Sequence, residues 1–437
     1  MREREIALSK LCPPNRAITY GIVQPGKPHE QGIPIVRVNN FRGHRMDLSE
    51  RLCVAPDVET AYSRSRPQEN DVLITLVGSI GQVAIAPKSI TGWNLARAVG
   101  LIPTQDRHHA EWIFYALQRP DAQRYIRQHA NTTVQATFNL KDLVNFPIPY
   151  PSASERERIL EVLSSLDDKI ELNRRMNETL DAMAQAIFHD WFVDFGPTRR
   201  MLVGATDPVE TMGGLVQEAE QAQALADLCP AKLGDDGLPE GWSSSNLSSY
   251  ATLNPESWGA KTAPNHVEYV DLANTKWGTI EDTAVYIWSA APSRARRVIR
   301  PGDTIVGTVR PGNGSFAFVG RDGLTASTGF AVLRPSRPEF AEFVNCAATS
   351  RENIARLEKL ADGGAYPAVR PEVVIATEVS RAPIEVILAF SKIAAPMFAK
   401  IENLKAENRA LAVTRDLLLP KLMDGEIQLS EAEEATV

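Results

Sequence analysis

What this sequence lacks narrows its chemistry before any motif is considered. Four cysteines, Cys12, Cys53, Cys229 and Cys346, stand singly, with no Cys-x-x-Cys pair. That spacing argues against a structural zinc site or a disulfide framework and points to a reducing, cytoplasmic setting. No apolar run approaches the ~18 residues of a membrane span, and Met1-Arg2-Glu3-Arg4-Glu5 is a charged start rather than a signal peptide. No membrane partner is therefore expected. Catalytic signatures are also missing. There is no phosphate loop, Gly312-Asn313-Gly314 lacks the third glycine of a dinucleotide fingerprint, and no His-Glu-x-x-His or Gly-x-Ser-x-Gly occurs. Cys12-Pro13-Pro14-Asn15 has the wrong order, and no aromatic, for the Asn-Pro-Pro-Tyr motif of amino-methyltransferases. Histidines cluster in the first third, where His108 and His109 are neighbours, an arrangement that seldom converges on a metal. A binding protein without catalytic or metal-ligating residues is expected.

What is present is an internal repeat. Lys169-Ile170-Glu171 returns as Lys400-Ile401-Glu402, Asn177 as Asn408 and Leu180 as Leu411, at a constant offset of 231 residues. Upstream, Asn70-Asp71-Val72-Leu73-Ile74-Thr75-Leu76-Val77-Gly78 is echoed by Pro301-Gly302-Asp303-Thr304-Ile305-Val306-Gly307-Thr308-Val309, the aspartates lying 232 apart. A repeat this large implies two similar modules, each a globular part followed by a helix. The length of 437 residues accommodates two to four domains.

Charge is divided along the same lines. The chain carries a net −7, yet residues 1–150 hold 18 Lys and Arg against 13 Asp and Glu. Residues 151–239 hold 8 against 17, residues 240–382 hold 15 of each, and residues 383–437 hold 6 against 9. The acidity lies on the rods and the connection, and the globular parts are basic to neutral. Local field rather than total charge governs an encounter with phosphates.

Each helix has a seam at alternating spacings of four and three. The first runs Ile159, Leu163, Leu166, Ile170, Asn173, Asn177, Leu180, Ala184, Ile187, Trp191. The second runs Phe390, Ala394, Met397, Ile401, Leu404, Asn408, Leu411, Arg415, Leu418, Leu422. Such a pattern predicts two coiled-coil helices packed on each other, antiparallel if the globular parts lie at opposite ends, with an approximate two-fold axis. Ser154 with Glu157 has the form of a capping box for the first helix, Gly196-Pro197 ends it, and Pro396 should kink the second. Short β-like runs (Ile33–Val38, Val72–Val77, Gln82–Ile85; Val267–Val270, Thr304–Val309, Phe316–Val319, Phe330–Leu333) and a helix over Ala110–Gln128 make the globular parts α+β. The expected domains are residues 1–151, first globular part; 152–195, first helix; 196–239, linker with a short helix at Leu215–Leu228; 240–382, second globular part; 383–425, second helix; and 426–437, tail.

With these residues assembled, the chain resembles the specificity subunit of type I restriction–modification systems over essentially its whole length. Leu166-Asp167-Asp168-Lys169-Ile170-Glu171-Leu172-Asn173-Arg174-Arg175-Met176-Asn177-Glu178-Thr179-Leu180 and Trp191-Phe192-Val193-Asp194-Phe195 are similar to that family's central helix. Arg415-Asp416-Leu417-Leu418-Leu419-Pro420-Lys421-Leu422-Met423-Asp424-Gly425-Glu426-Ile427 is similar to its C-terminal phrase. Ile18 to Gly26 and Ala326 to Pro335 are similar to phrases of its target recognition domains. The resemblance implies two α+β recognition domains joined by two long antiparallel coiled-coil helices. Each domain would read one half of a bipartite site in double-stranded DNA, while the helices set the spacing and dock two modification subunits. Cofactors would belong to the partners: S-adenosylmethionine to the modification subunits, ATP and magnesium to the restriction subunits. The alternative from a different class is a coiled-coil adaptor whose globular domains bind protein.

Base readout needs Asn or Gln for adenine, Arg or Lys for guanine, and small hydroxyls for phosphates, all on exposed loops. Candidates in the first part are Asn39, Asn40 and Arg42, then Ser79 and Gln82, then Thr132, Thr133 and Gln135. In the second they are Asn274 and Lys276, Arg310 and Asn313, Ser327 and Thr328, and Tyr366 with Arg370. Trp191, Phe192 and Phe195 are expected at an interface with a modification subunit.

Overall fold

The structure is a computed structural model describing residues 5–43, 45–131 and 136–429. It divides into two compact units, the first comprising residues 1–171 and 407–437, the second residues 172–406. Each unit therefore takes part of both long helices.

The first unit is built on Val72–Thr75, whose four residues are all buried. A continuous apolar run of this kind suits a strand covered on both faces. It pairs antiparallel with Val99–Ile102 and Val83–Ile85, and Thr19–Tyr20 adds an edge beyond Val99–Ile102. A smaller sheet sets Ile33–Val36 between Leu52–Val54, antiparallel, and Asn94–Leu95, parallel. Glu5–Ala7 pairs with Pro147–Pro149 and ties the chain start to the foot of the first long helix. Two helices, Arg107–Gln118 and Pro120–Gln128, occupy the stretch expected as one. The break is local: Pro120 forces Arg119 into an extended conformation, φ −52° and ψ 143°, and its ring then starts the next helix.

The second unit repeats the plan. Thr304–Gly307, again wholly buried, lies between Phe330–Pro335 and Phe316–Phe318, with Ala251–Leu253 at the edge. His266–Val270 sits between Ala284–Ile287, antiparallel, and Leu324–Ser327, parallel, and Ala295–Val298 extends that sheet by one strand. Ser243–Asn246 pairs with Glu378–Arg381 as the terminal pair. The repeated aspartates do the same work in both. Asp71 and Asp303 are each 1 % exposed, and each is gripped by a bidentate guanidinium, Arg16 at 2.8 and 2.6 Å and Arg334 at 2.9 and 2.9 Å. Pairing with hydrogen bonds to every carboxylate oxygen is what makes such burial tolerable.

The long helices span Ala153–Phe192 and Ile384–Met423, 40 residues each, so ~60 Å at ~1.5 Å per residue. The Ser-x-x-Glu cap lies two residues earlier than the sequence suggests. Ser152 Oγ accepts from the Glu155 amide, and Ser154 is already helical. Pro396 does not interrupt the second helix. It sits on the exposed side, where the Lys392 carbonyl it leaves unpaired can tilt toward water. Within the first unit, Arg415 Nη1 donates to Asp167 Oδ1 at 2.5 Å and Asn408 Nδ2 to the Ile170 carbonyl at 3.3 Å. The two helix segments there run in opposite directions. Leu163, Ile159, Leu422 and Met423 join that unit's core.

The segment expected as a linker is folded onto the second unit. Helices Gly196–Leu202, Pro208–Thr211 and Ala219–Ala226 bring Met212, Val216, Ala222 and Ala226 into its core. No helix among the described residues is long and apolar enough to cross a membrane.

Candidate nucleic-acid interface

In both units the strand that follows the repeated aspartate leads into a loop that is joined to a second loop by the same bridge. In the first unit Val77 bridges Thr137, which closes against Asn131. In the second, Val309 bridges Ala368, which closes against Asp362. The next residue repeats the tie: the Gly78 amide donates to the Ala136 carbonyl at 3.0 Å, and the Arg310 amide to the Pro367 carbonyl at 2.7 Å. In the second unit this brings together candidates far apart in sequence, Arg310 and Tyr366.

In the first unit Ser79 is exposed at the tip, and its carbonyl accepts from Thr75 Oγ1 at 2.5 Å. Gln82 is half-buried, with its amide on Thr75 Oγ1 at 2.9 Å, and its side-chain oxygen is buried without a partner. Thr132, Thr133 and Gln135 lie outside the described residues. Asn39 is exposed, but Asn40 is not a reader. It is 1 % exposed, with Oδ1 accepting from the Arg37 amide and Nδ2 donating to the Asp47 and Glu50 carbonyls. An asparagine fully used in closing a turn has nothing left for a base. Arg42 is exposed and 3.6 Å from Asp47. Partial burial pushes the Asp47 carboxyl up, but Ser49 and Arg42 outweigh it and hold the group below its ordinary range.

The second unit assembles more of its candidates. Asn274 is exposed beside the hairpin Thr275–Lys276 and Thr279–Ile280. Lys276 Nζ lies 3.4 Å from the Asn313 carbonyl, which places the hairpin against the turn Pro311–Asn313. The Arg310 guanidinium lies over the Tyr366 ring, 4.7 Å from its centroid, and donates to the Ala365 carbonyl at 2.7 Å. Asn313, Thr328, Tyr366 and Arg370 are exposed. Ser327 is a second correction: it is 2 % exposed and its Oγ accepts from the Gly329 amide, because it ends a strand buried on both faces.

Trp277, next to Lys276, is absent from the candidates that the sequence suggests. It is 58 % exposed, holds a left-handed φ of 42°, donates its amide to the Gly314 carbonyl at 2.7 Å and meets Phe316 edge to face. An aromatic followed by glycine between two short strand runs is the available signal.

Trp191, Phe192 and Phe195 are likewise corrected. They are 2, 2 and 8 % exposed, inside the second unit's own core with Trp242, Phe343 and Phe390. The ring of Phe192 lies 5.0 Å from that of Phe343 and 5.5 Å from that of Phe390. Residues of the folded connection and of the second helix share that core with them. Among the described residues no cluster of His, Cys, Asp and Glu is suited to hold a metal.

Comparison with known proteins gives this geometry its context. Residues 29–182 match the type I restriction modification DNA specificity domain. The chain is 32 % identical over 180 residues to the EcoBI specificity subunit of Escherichia coli, covering 40 % of this chain and 37 % of that one. It is 26 % identical over 366 residues to the HindI specificity subunit of Haemophilus influenzae, covering 72 % and 77 %. With the MjaIX specificity subunit of Methanocaldococcus jannaschii it shares 23 % over 397 residues, covering 90 % and 85 %. The crystal structure of the S subunit from M. genitalium aligns over 96 % of this chain and 95 % of that one, at 15 % identity and a TM-score of 0.47. From the repeat in its sequence to these relatives, the chain is similar to the specificity subunits of type I restriction–modification systems.

Proposed function

We propose that each unit reads one half of a bipartite site in double-stranded DNA, and that the chain supplies this address without catalysing a reaction. The carrying observation is the doubled loop pair, built on the same strand and closed by the same bridge in both units. The two loop pairs carry different exposed side chains, Ser79 in one, Arg310, Asn313 and Tyr366 in the other. Equal scaffolds with unequal tips fit two different half-sites. Asn39, Arg42, Asn274, Lys276, Thr328 and Arg370 complete the proposed contacts, with Gln82, Thr132, Thr133 and Gln135 as first-unit members.

In this reading residues 1–151 and 240–382 are the recognition domains, and the two long helices run antiparallel as a ruler between half-sites. The helices also dock two modification subunits, which carry S-adenosylmethionine, and the assembly recruits restriction subunits that use ATP and magnesium in the cytoplasm. Support for docking comes from apolar stripes left uncovered. Leu172, Met176 and Met183 are 57, 44 and 45 % exposed in the second unit, and Val413 and Leu417 are 59 and 62 % exposed in the first. Their spacings of four and seven, and of four, put each set on one helix face.

Methylation mapping in cells carrying the assembled system tests the division of labour. Replacing Ser79 and Gln82 by Ala should relax one half-site. Replacing Arg310 and Asn313 by Ala should relax the other, at ~1–3 kcal/mol for each bidentate pair removed. If both pairs of substitutions disturb the same half, the two-reader proposal is wrong. Binding that shows no salt dependence would favour the protein-binding adaptor instead.

A further inference from the structure

We infer that Arg310 reads a guanine in the second unit's half-site, with Tyr366 as the platform that aims its guanidinium. The inference rests on the proposal that this unit binds DNA, and it adds the base, the reading group and the positioning residue.

Three observations carry it. The first is conformational. Arg310 is in the left-handed region, φ 47° and ψ 60°. Its counterpart one residue after the shared valine bridge is Gly78, at φ 80°. Both amides make the same bond, to Ala136 and to Pro367, so the loop demands this backbone in both units. Glycine adopts it without a Cβ penalty, and an arginine does not. The side chain is therefore kept against the backbone's preference, and strain retained in an exposed loop marks a position where the side chain has a job.

The second is orientation. A free surface arginine samples many rotamers, but this guanidinium lies over the Tyr366 ring at 4.7 Å and spends one Nη2 hydrogen on the Ala365 carbonyl. Among the described residues no acidic side chain is paired with Arg310 in an ion bridge, in contrast to Arg300, Arg321 and Arg334 of the same unit. Stacking fixes the plane of the fork while leaving in-plane donors available, which is the geometry that matches the O6 and N7 acceptors of guanine. A lysine would offer a point charge without the fork.

The third is setting. Tyr366 is 71 % exposed and Trp277 58 % exposed on this surface. The Lys276 ammonium approaches the Asn313 carbonyl in the same turn, adding a cation suited to a flanking phosphate.

The test uses the assembled methyltransferase complex and duplexes carrying its mapped site. Arg310→Gly removes the fork and relieves the backbone, so the complex should assemble and melt no lower than the parent. Its discrimination for guanine should fall about ten- to a hundred-fold at one position of one half-site, equivalent to a single bidentate pair. On the parent protein, 7-deazaguanine at that position should weaken binding and methylation, and should have no further effect on Arg310→Gly. Tyr366→Ala should lower discrimination at the same position, and Tyr366→Phe should preserve it. Arg310→Gly weakening all sequences equally would make the residue a phosphate contact and overturn the inference while leaving the two-reader proposal standing. A second half-site without any guanine, or no change on 7-deazaguanine substitution, would also overturn it. Absence of sequence-dependent binding by the parent complex would overturn both.

Discussion

The two units share a strand order, a buried aspartate at the head of the central strand and a bridge between two loops, yet they differ in how they close their cores. In the first unit the helix seam is partly polar. Arg415, 6 % exposed, donates to Asp167 and Asp416, and Tyr115 donates its hydroxyl to Asp167. One repeat earlier the same position is Ala184, 0 % exposed in the second unit's core. There the cluster of Phe188, Trp191, Phe192, Phe343 and Phe390 fills the space. A duplicated scaffold tolerates an ionic solution and an aromatic one at equivalent places, provided each is locally complete.

The largest expected effect that sharpens this contrast is Phe192→Ala. Removing a ring packed among five other aromatics leaves a cavity and should cost ~3–5 kcal/mol. Hydrogen exchange should show the loss at the Val306 amide in the second unit's central strand, while Ile74 in the first keeps its protection. Equal loss in both strands would mean that the cores do not act separately.

Arg415→Ala reverses the pattern at a smaller scale. It leaves Asp167 without its guanidinium, but that carboxylate is 26 % exposed, so water offsets part of the cost. The expected loss is ~2–3 kcal/mol, below the ~3–5 kcal/mol of a fully buried pair. It should be confined to the first unit in the same exchange experiment. A stabilised variant would show that the ion pair contributes specificity rather than stability.

The smallest effect concerns acid. Hydrogen bonding from Arg300, with Arg334 and despite some burial, holds the Glu256 carboxyl at about 2. Folding favours the charged form, so this contribution is fully present above the ordinary carboxylate value and is lost as pH falls toward 2. Thermal unfolding of the full chain should show a fall of a few degrees in this window, and Glu256→Gln should flatten it. Because Glu256 is 37 % exposed, the effect should be weaker than either core substitution. An unchanged pH profile in the variant would assign the acid sensitivity to other groups.

Of the fold, the parts readable in the sequence are those set by local periodicity. The seam spacing yields both helices because amphipathic repeats specify a helix and its buried face together. Val72–Thr75 and Thr304–Gly307 are readable as apolar runs of strand length. The candidate surface is only half readable. Ser79, Arg310, Asn313 and Tyr366 are recognisable as exposed turn residues, but Asn40 and Ser327, chemically just as suited, turn inward. Trp277 escapes a reading by residue type because a tryptophan is ordinarily core, and only its hairpin setting exposes it.

By itself, then, the sequence determined the duplication, the presence of two long helices and the absence of recognisable catalytic motifs, since offsets, heptads and signature spacings are properties of the chain's order. Only the tertiary structure decided which polar side chains are used up inside a turn. It also decided that Pro396 is tolerated on a solvent-facing side, and that the aromatics ending the first helix are enclosed by residues 196–226 and the second helix. The physical reason is that burial and hydrogen-bond satisfaction depend on what distant segments bring to the same place. The neighbours of Phe192 include Phe343 and Phe390, and no local pattern around residue 192 carries that information.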